Sequence, residues 1–112
     1  MAPIYVIKKD GRREKFERNK IKHGIEKALE KRPINHDQIE EMLDAIEEKI
    51  RRYGKEEIES TIIGEYVMDS LKNTDEVAYI RFASVYRSFT DVTSFEKEIK
   101  SLIEQYSGDR KK

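Results

Sequence analysis

The chain has 112 residues, enough for one domain with a single core, which excludes a multidomain enzyme. Lysine plus arginine and aspartate plus glutamate each number 23, so the formal charge is zero and charge alone gives no drive toward nucleic acid; a local patch must carry any polyanion recognition. There is no cysteine for a disulfide framework or a thiolate zinc site, no apolar run near the roughly 18 residues of a membrane span, and no signal-type apolar segment, so a cytoplasmic protein with no membrane partner is expected.

Residues 4–9 are rich in β-formers, and Asp10-Gly11 is the dipeptide that favours a two-residue type I′ turn with both central residues at positive φ. This predicts a hairpin whose returning strand covers residues 13–16. It presents Lys8, Lys9, Arg12 and Arg13 beside the start of the next helix, whose N-terminus favours anions, and so forms a candidate phosphate cradle. The same cations also suit an exposed hairpin kept soluble at its edges.

In residues 19–32, Ile21, Ile25, Ala28 and Leu29 form one helical stripe. Gly24 costs such a helix about 1 kcal/mol relative to Ala, which points to a close approach at that position, by backbone or by something bulky. Pro33 is expected to end the helix by pushing Arg32 out of the α region. Asn35 and Gln38 then make a capping box for a long helix with Ile39, Met42, Leu43, Ile46, Ile50 and Tyr53 on its inner face and Gly54 as its stop. Its acidic residues, from Glu40 to Glu48, read as a solvated face.

Residues 55–59 are read as a third strand added to the hairpin, and Ser60 as the cap of a helix with Ile63, Val67 and Leu71 inside. Residues 76–89 are apolar nearly all round, which predicts a buried central helix; Arg81 and Arg87 within it are expected to end in salt bridges or at a ligand. Thr93 and Glu96 make a capping box for a last helix whose stripe, Phe95, Ile99, Leu102, Ile103 and Tyr106, needs a partner in its own domain or in a second subunit. A polar tail at 108–112 is expected to be disordered. The pattern is α+β: a small β-sheet, made of the N-terminal hairpin and a short third strand, capping a four-helix bundle with an additional C-terminal helix.

Two segments carry a family resemblance. Val6-x-Lys8-Lys9-Asp10-Gly11 with Phe16, Lys20-Ile21 and Gly24-Ile25, and the run from Val77 to Phe89, resemble the opening and closing motifs of the ATP-cone. This is the nucleotide-binding regulatory domain of ribonucleotide reductases and of their transcriptional repressor, and the closing motif is closest to the repressor's form. The match covers roughly residues 4–90, so a nucleotide domain at 1–90, a helical extension at 91–107 and the tail at 108–112 are expected. Lys9 stands where the family usually has Arg, a change that weakens bidentate phosphate contact more than charge.

The resemblance implies an allosteric site for ATP or dATP, with Mg2+, whose occupancy controls oligomerisation. It implies that Val6, Lys8 and Lys9 contact base and phosphates, that Glu14 lies near base or ribose, and that Lys20 reaches the phosphates. The segment ending at Glu59 would border the nucleoside. Tyr86 is a candidate for a stacking or hydroxyl contact, or equally for a core aromatic. The only histidines, His23 and His36, have no neighbouring nucleophile or ligand set, so catalysis is not expected. The repressor's cysteine-rich zinc ribbon has no counterpart in this sequence, so nucleic acid is not expected as a partner of the chain alone. Adenine nucleotides and a second copy of the chain are the expected partners. The competing reading is a non-catalytic interaction module whose basic hairpin meets nucleic acid or a protein.

Overall fold

The computed structural model describes residues 3–86, 96, 97 and 99–104. Its elements are β1 (Tyr5–Ile7), β2 (Arg13–Lys15), α1 (Arg18–Ala28), α2 (His36–Tyr53), β3 (Glu57–Glu59), α3 (Ser60–Lys72) and α4 (Glu76–Tyr86), and the described residues from 96 to 104 are also helical. The α+β architecture is as expected. The sheet has the order β2-β1-β3, with β1 antiparallel to β2 and parallel to β3. α1 packs on α2, α2 on α3, α3 on α4 and α4 back on α1, closing a ring of four helices around one core.

That core is aliphatic. Ile25, Leu43, Ile46, Ile50, Ile58, Met68 and Leu71 are the largest fully buried side chains, and burying each such group contributes about 1.5–3 kcal/mol. Ile58 is the middle residue of β3 and pairs with Val6 of β1, so one central contact fastens the sheet to the bundle.

The hairpin turn differs from expectation. Tyr5 pairs with Lys15, Val6 with Glu14 and Ile7 with Arg13, and Lys8 N–H donates to Arg12 O at 2.8 Å. The loop is therefore the three residues Lys9, Asp10 and Gly11, closed by Gly11 N–H donating to Lys8 O at 2.9 Å. Gly11 has φ 90°, whereas Asp10 does not enter the left-handed region. An Asp-Gly pair serves this longer loop as well as a type I′ turn, because only the glycine must adopt positive φ. Asp10 instead anchors the loop by accepting from the backbone N–H and the Nε–H of Arg12, at 3.0 and 2.7 Å.

α2 forms as read, with reciprocal hydrogen bonds between Asn35 and Gln38 and with Gly54 at φ 75°. α1 stops at Ala28, earlier than Pro33 predicted, and Lys31 takes φ 62°. The end of the helix is also met from a distance in sequence. Arg81 of α4 donates to the carbonyls of Ala28 and Glu30, at 3.1 and 2.8 Å, and so supplies partners for the end of α1. Arg81 thus caps a helix, and among the described residues it makes no salt bridge; Arg87 lies outside the described residues.

Two further expectations are corrected. Ser60 is the first residue of α3, and Glu59 occupies the cap position without a side-chain capping bond. α4 is not buried all round: it packs on α1 and α3, which leaves Val77 38% and Val85 82% exposed. The start of the last helix at Thr93, its residues Phe95 and Tyr106, and the tail at 108–112 lie outside the described residues. Ile99 and Leu102 are half-buried, Leu102 against the core, while Ile103 is exposed.

Candidate nucleotide cleft

The end of α4, the first half of α3, the hairpin and the entry to α1 enclose a cleft of about 510 Å³. That volume is in the ordinary range for small-ligand sites. The apolar part of its lining comes from Val6, Phe16, Ile21, Ile63, Val67, Phe82 and Tyr86, and the charged part from the hairpin and the start of α1. The lining holds five cations against three carboxylates, a local positive excess that the neutral total conceals.

The cations are organised by one carboxylate. Glu14 faces across β2 toward α1 and accepts from Lys20 Nζ at 3.2 Å and Arg12 at 3.4 Å, with Lys8 Nζ at 3.9 Å. The hydrogen bond from Lys20 is the main reason its carboxyl titrates below the usual range, with Lys8 and Arg12 adding to it. Lys8 and Lys20, far apart in sequence, are thereby held over the same side of the cleft. α1 begins at Arg18, so Lys20 sits in a first turn whose free N–H groups also favour anions.

The position of α1 is fixed from behind. Arg18 donates to Glu47 and Asp44 at 2.5 and 2.9 Å and to Glu40 at 3.1 Å, and Lys22 pairs with Glu40 at 3.2 Å. The hydrogen bonds from Arg18 to Glu47 and Asp44 raise its pKa far above the ordinary guanidinium value. The acidic residues of α2, read from the sequence as a solvated face, are in part the anchor of α1.

On the opposite wall, the Tyr86 ring stacks with Phe82 at a centroid distance of 5.8 Å and an interplanar angle of 19°. Its hydroxyl donates to Thr61 O at 2.8 Å, and Lys9 Nζ lies 5.5 Å from its ring centroid. The hairpin tip therefore reaches the aromatic wall. With its hydroxyl committed to the backbone, Tyr86 offers the cleft a ring face rather than a polar group.

Val6, Lys8, Lys9, Glu14, Lys20 and Tyr86 all line this cleft; Glu59 does not. Its carboxylate is the acceptor for Thr61 Oγ1 at 3.5 Å, and the next residue, Ser60, is the one that faces the cavity. Sequence reasoning missed Phe16, Ile63, Val67 and Phe82 as cleft residues, since their helical or strand periodicity reads equally well as core. It also missed Gly64. A Cβ there would collide with the ring and hydroxyl of Tyr86, whereas a Cβ at Gly24 would meet only Phe82 Cε2, at an ordinary 3.6 Å. The mid-helix glycine required by a close approach is thus Gly64.

No group of three or more His, Asp or Glu residues able to hold a metal ion occurs among the described residues, and none of the described helices is long and apolar enough to cross a membrane. His23 and His36 are both exposed.

The chain thus carries a cation-rimmed cleft with an aromatic wall between a three-stranded sheet and a helical bundle. The family model described as ATP cone domain matches residues 4–92, and the chain belongs to the ATP-cone family. A protein of Thermotoga neapolitana named transcriptional repressor NrdR is 56% identical over 110 residues, covering 98% of this chain and 70% of its own length. A protein of the same name from Listeria welshimeri is 51% identical over 104 residues, covering 93% of this chain and 68% of its own length. These relatives are named as repressors and not as enzymes. Their names also overturn the expectation that nucleic acid is no partner, because repression of transcription is exercised on nucleic acid. The expectation rested on the neutral total charge and on the absence of a zinc ribbon from this sequence; a charge sum over 112 residues does not describe a local surface, and the sequence spans only 70% and 68% of the length of these two relatives.

Proposed function

We propose that this chain is the nucleotide-sensing part of a repressor of ribonucleotide reductase genes, and that it binds ATP or dATP in the cleft between hairpin and helices. One observation carries the reading: a single cavity joins Lys8, Lys9 and Lys20 to the ring face of Tyr86. A nucleoside triphosphate needs both, charge for its phosphates and a flat apolar wall for its base. The residues suit the nucleotide better than they suit a metal. Of the three carboxylates of the lining, Asp10 and Glu14 are paired with Arg12 and Lys20, and Glu17 by itself makes no cage, so Mg2+ would enter chiefly on the phosphates.

The role assigned is regulatory. The nucleotide alters the arrangement of the domain and with it self-association, and repression follows from the assembled state. ATP and dATP differ by one hydroxyl, and a ligand shifts an equilibrium only by its differential affinity for the two states, so the two must favour different arrangements of a shared element. Isothermal titration of the purified protein with ATP and with dATP, in the presence and absence of Mg2+, tests the assignment. Saturable binding at micromolar concentrations is expected. Absence of binding up to millimolar nucleotide overturns it.

A further inference from the structure

We propose that Gly64 is a positioning residue of the cleft: the missing side chain on α3 is the seat of the Tyr86 ring, and it sets how far that ring stands into the nucleotide space. This rests on the nucleotide reading of the cleft. The supporting geometry is independent of it. An added Cβ at Gly64 would overlap the outer ring atoms and the hydroxyl of Tyr86. Gly64 is itself buried and lies in the middle of α3, where a glycine costs a helix about 1 kcal/mol relative to alanine. The helix bears that cost at a position where it carries no turn and no positive φ. The three heavy atoms nearest to such a Cβ all belong to the Tyr86 side chain.

The group that must give way is the far end of a side chain, not backbone. A methyl group at position 64 therefore displaces the ring instead of breaking the helix. Displacement strains the hydrogen bond to Thr61 O and the stack on Phe82. Gly64, Phe82 and Tyr86 all line the cleft, so the displaced ring changes the volume and slope of its aromatic wall. Because Thr61 lies in the first turn of α3 beside the cleft residue Ser60, the same shift disturbs the rim at the start of α3. Gly64 touches no nucleotide in this account and acts through Tyr86.

A double-mutant cycle in the intact chain provides the test, with ATP affinity read by titration calorimetry and folding by circular dichroism melting. Gly64→Ala is expected to lower ATP affinity at least tenfold while the helical spectrum is retained. In a Tyr86→Ala background, the same change at position 64 is expected to alter affinity less than threefold. Unchanged affinity in Gly64→Ala, or an equal loss in both backgrounds, overturns the proposal. Should Gly64→Ala fail to fold, Gly64→Ala/Tyr86→Ala is expected to fold as Tyr86→Ala does, with Tyr86→Ala itself binding ATP more weakly than the parent. A double variant that also fails to fold, or a Tyr86→Ala protein of full affinity, overturns the proposal. Lack of ATP binding by the parent chain is a different result and sinks the nucleotide reading instead.

Discussion

Arg32 donates its Nε–H to both carboxylate oxygens of Asp75, at 3.1 and 2.9 Å, and so ties the segment after α1 to the start of α4. Asp75 Oδ1 also accepts the N–H of Ala78 at 2.9 Å and caps α4, the helix that carries Phe82 and Tyr86 to the cleft. Asp75→Ala removes cap and ion pair together and leaves a half-exposed guanidinium without its partner, for an expected loss of about 2–4 kcal/mol. Asp75→Asn keeps an acceptor for the cap and is expected to cost about half as much. Urea denaturation of the two variants checks the order, and equal losses would show that the cap is not what matters.

Acid sensitivity follows from the same carboxylate. Burial, the largest single influence, pushes the Asp75 carboxyl up, but the Ala78 N–H and Arg32 together outweigh it and leave its pKa below the ordinary value of 3.8. A depressed folded-state pKa contributes stability that is present above the unfolded pKa and is lost as pH falls through the folded value. Glu14, Glu40 and Glu48 are depressed by their lysine and arginine partners and act in the same direction. The melting temperature is expected to vary little with these groups from pH 8 to 5 and to fall below about pH 4. Asp75→Asn should fall less steeply there, and a parallel decline in both proteins would contradict the assignment.

Lys8→Ala and Lys20→Ala are each expected to weaken ATP binding about tenfold, the low end for a charge-assisted phosphate contact. The low end applies because the two side chains are 37% and 61% exposed. Lys49→Ala, which removes a cation lying over Tyr66 and outside the cleft lining, is expected to leave affinity unchanged. Calorimetric titration of the three variants decides, and an equal effect from all of them would remove the phosphate assignment.

Self-association is expected to depend on the nucleotide. Ile103 is 58% exposed while its neighbour Leu102 packs on the core, so the last helix keeps apolar surface open beyond what its own domain covers. Multi-angle light scattering on the protein alone, with ATP and with dATP should give masses that differ between at least two of the states. One mass throughout, at saturating nucleotide, leaves a binder without an oligomeric readout.

What could be read in advance was what depends on near neighbours. α2 is specified by Asn35, Gln38, the stripe from Ile39 to Ile50, and Gly54, all within its own 18 residues or adjoining them, and it formed as read. The end of α1 was misread; carbonyls there are met by Arg81, more than 50 residues away. The hairpin loop was misread because an Asp-Gly pair fits two loop lengths, and the choice between them is made by pairing Val6 with Glu14. For the cleft, charged residues at marked positions stood out, whereas Phe16, Val67 and Phe82 are indistinguishable from core until the cavity beside them is seen. Gly64 was passed over since nothing local requires a glycine there; the requirement comes from a ring 22 positions later.

The parallel pairing of β1 with β3 has a consequence for how the protein is made. Residues 5–15 can pair locally as soon as they leave the ribosome, but Tyr5, Val6 and Ile7 find Glu57, Ile58 and Glu59 only after two intervening helices have been synthesised. Closing so long a loop carries an entropic cost that a local hairpin avoids. The residues of the basic hairpin are therefore able to pair before the bundle they will cover is complete, and the aromatic wall at Phe82 and Tyr86 emerges later still. A nascent chain halted short of α4 would carry the hairpin cations without Phe82 and Tyr86, so the cleft is complete only once α4 has been made.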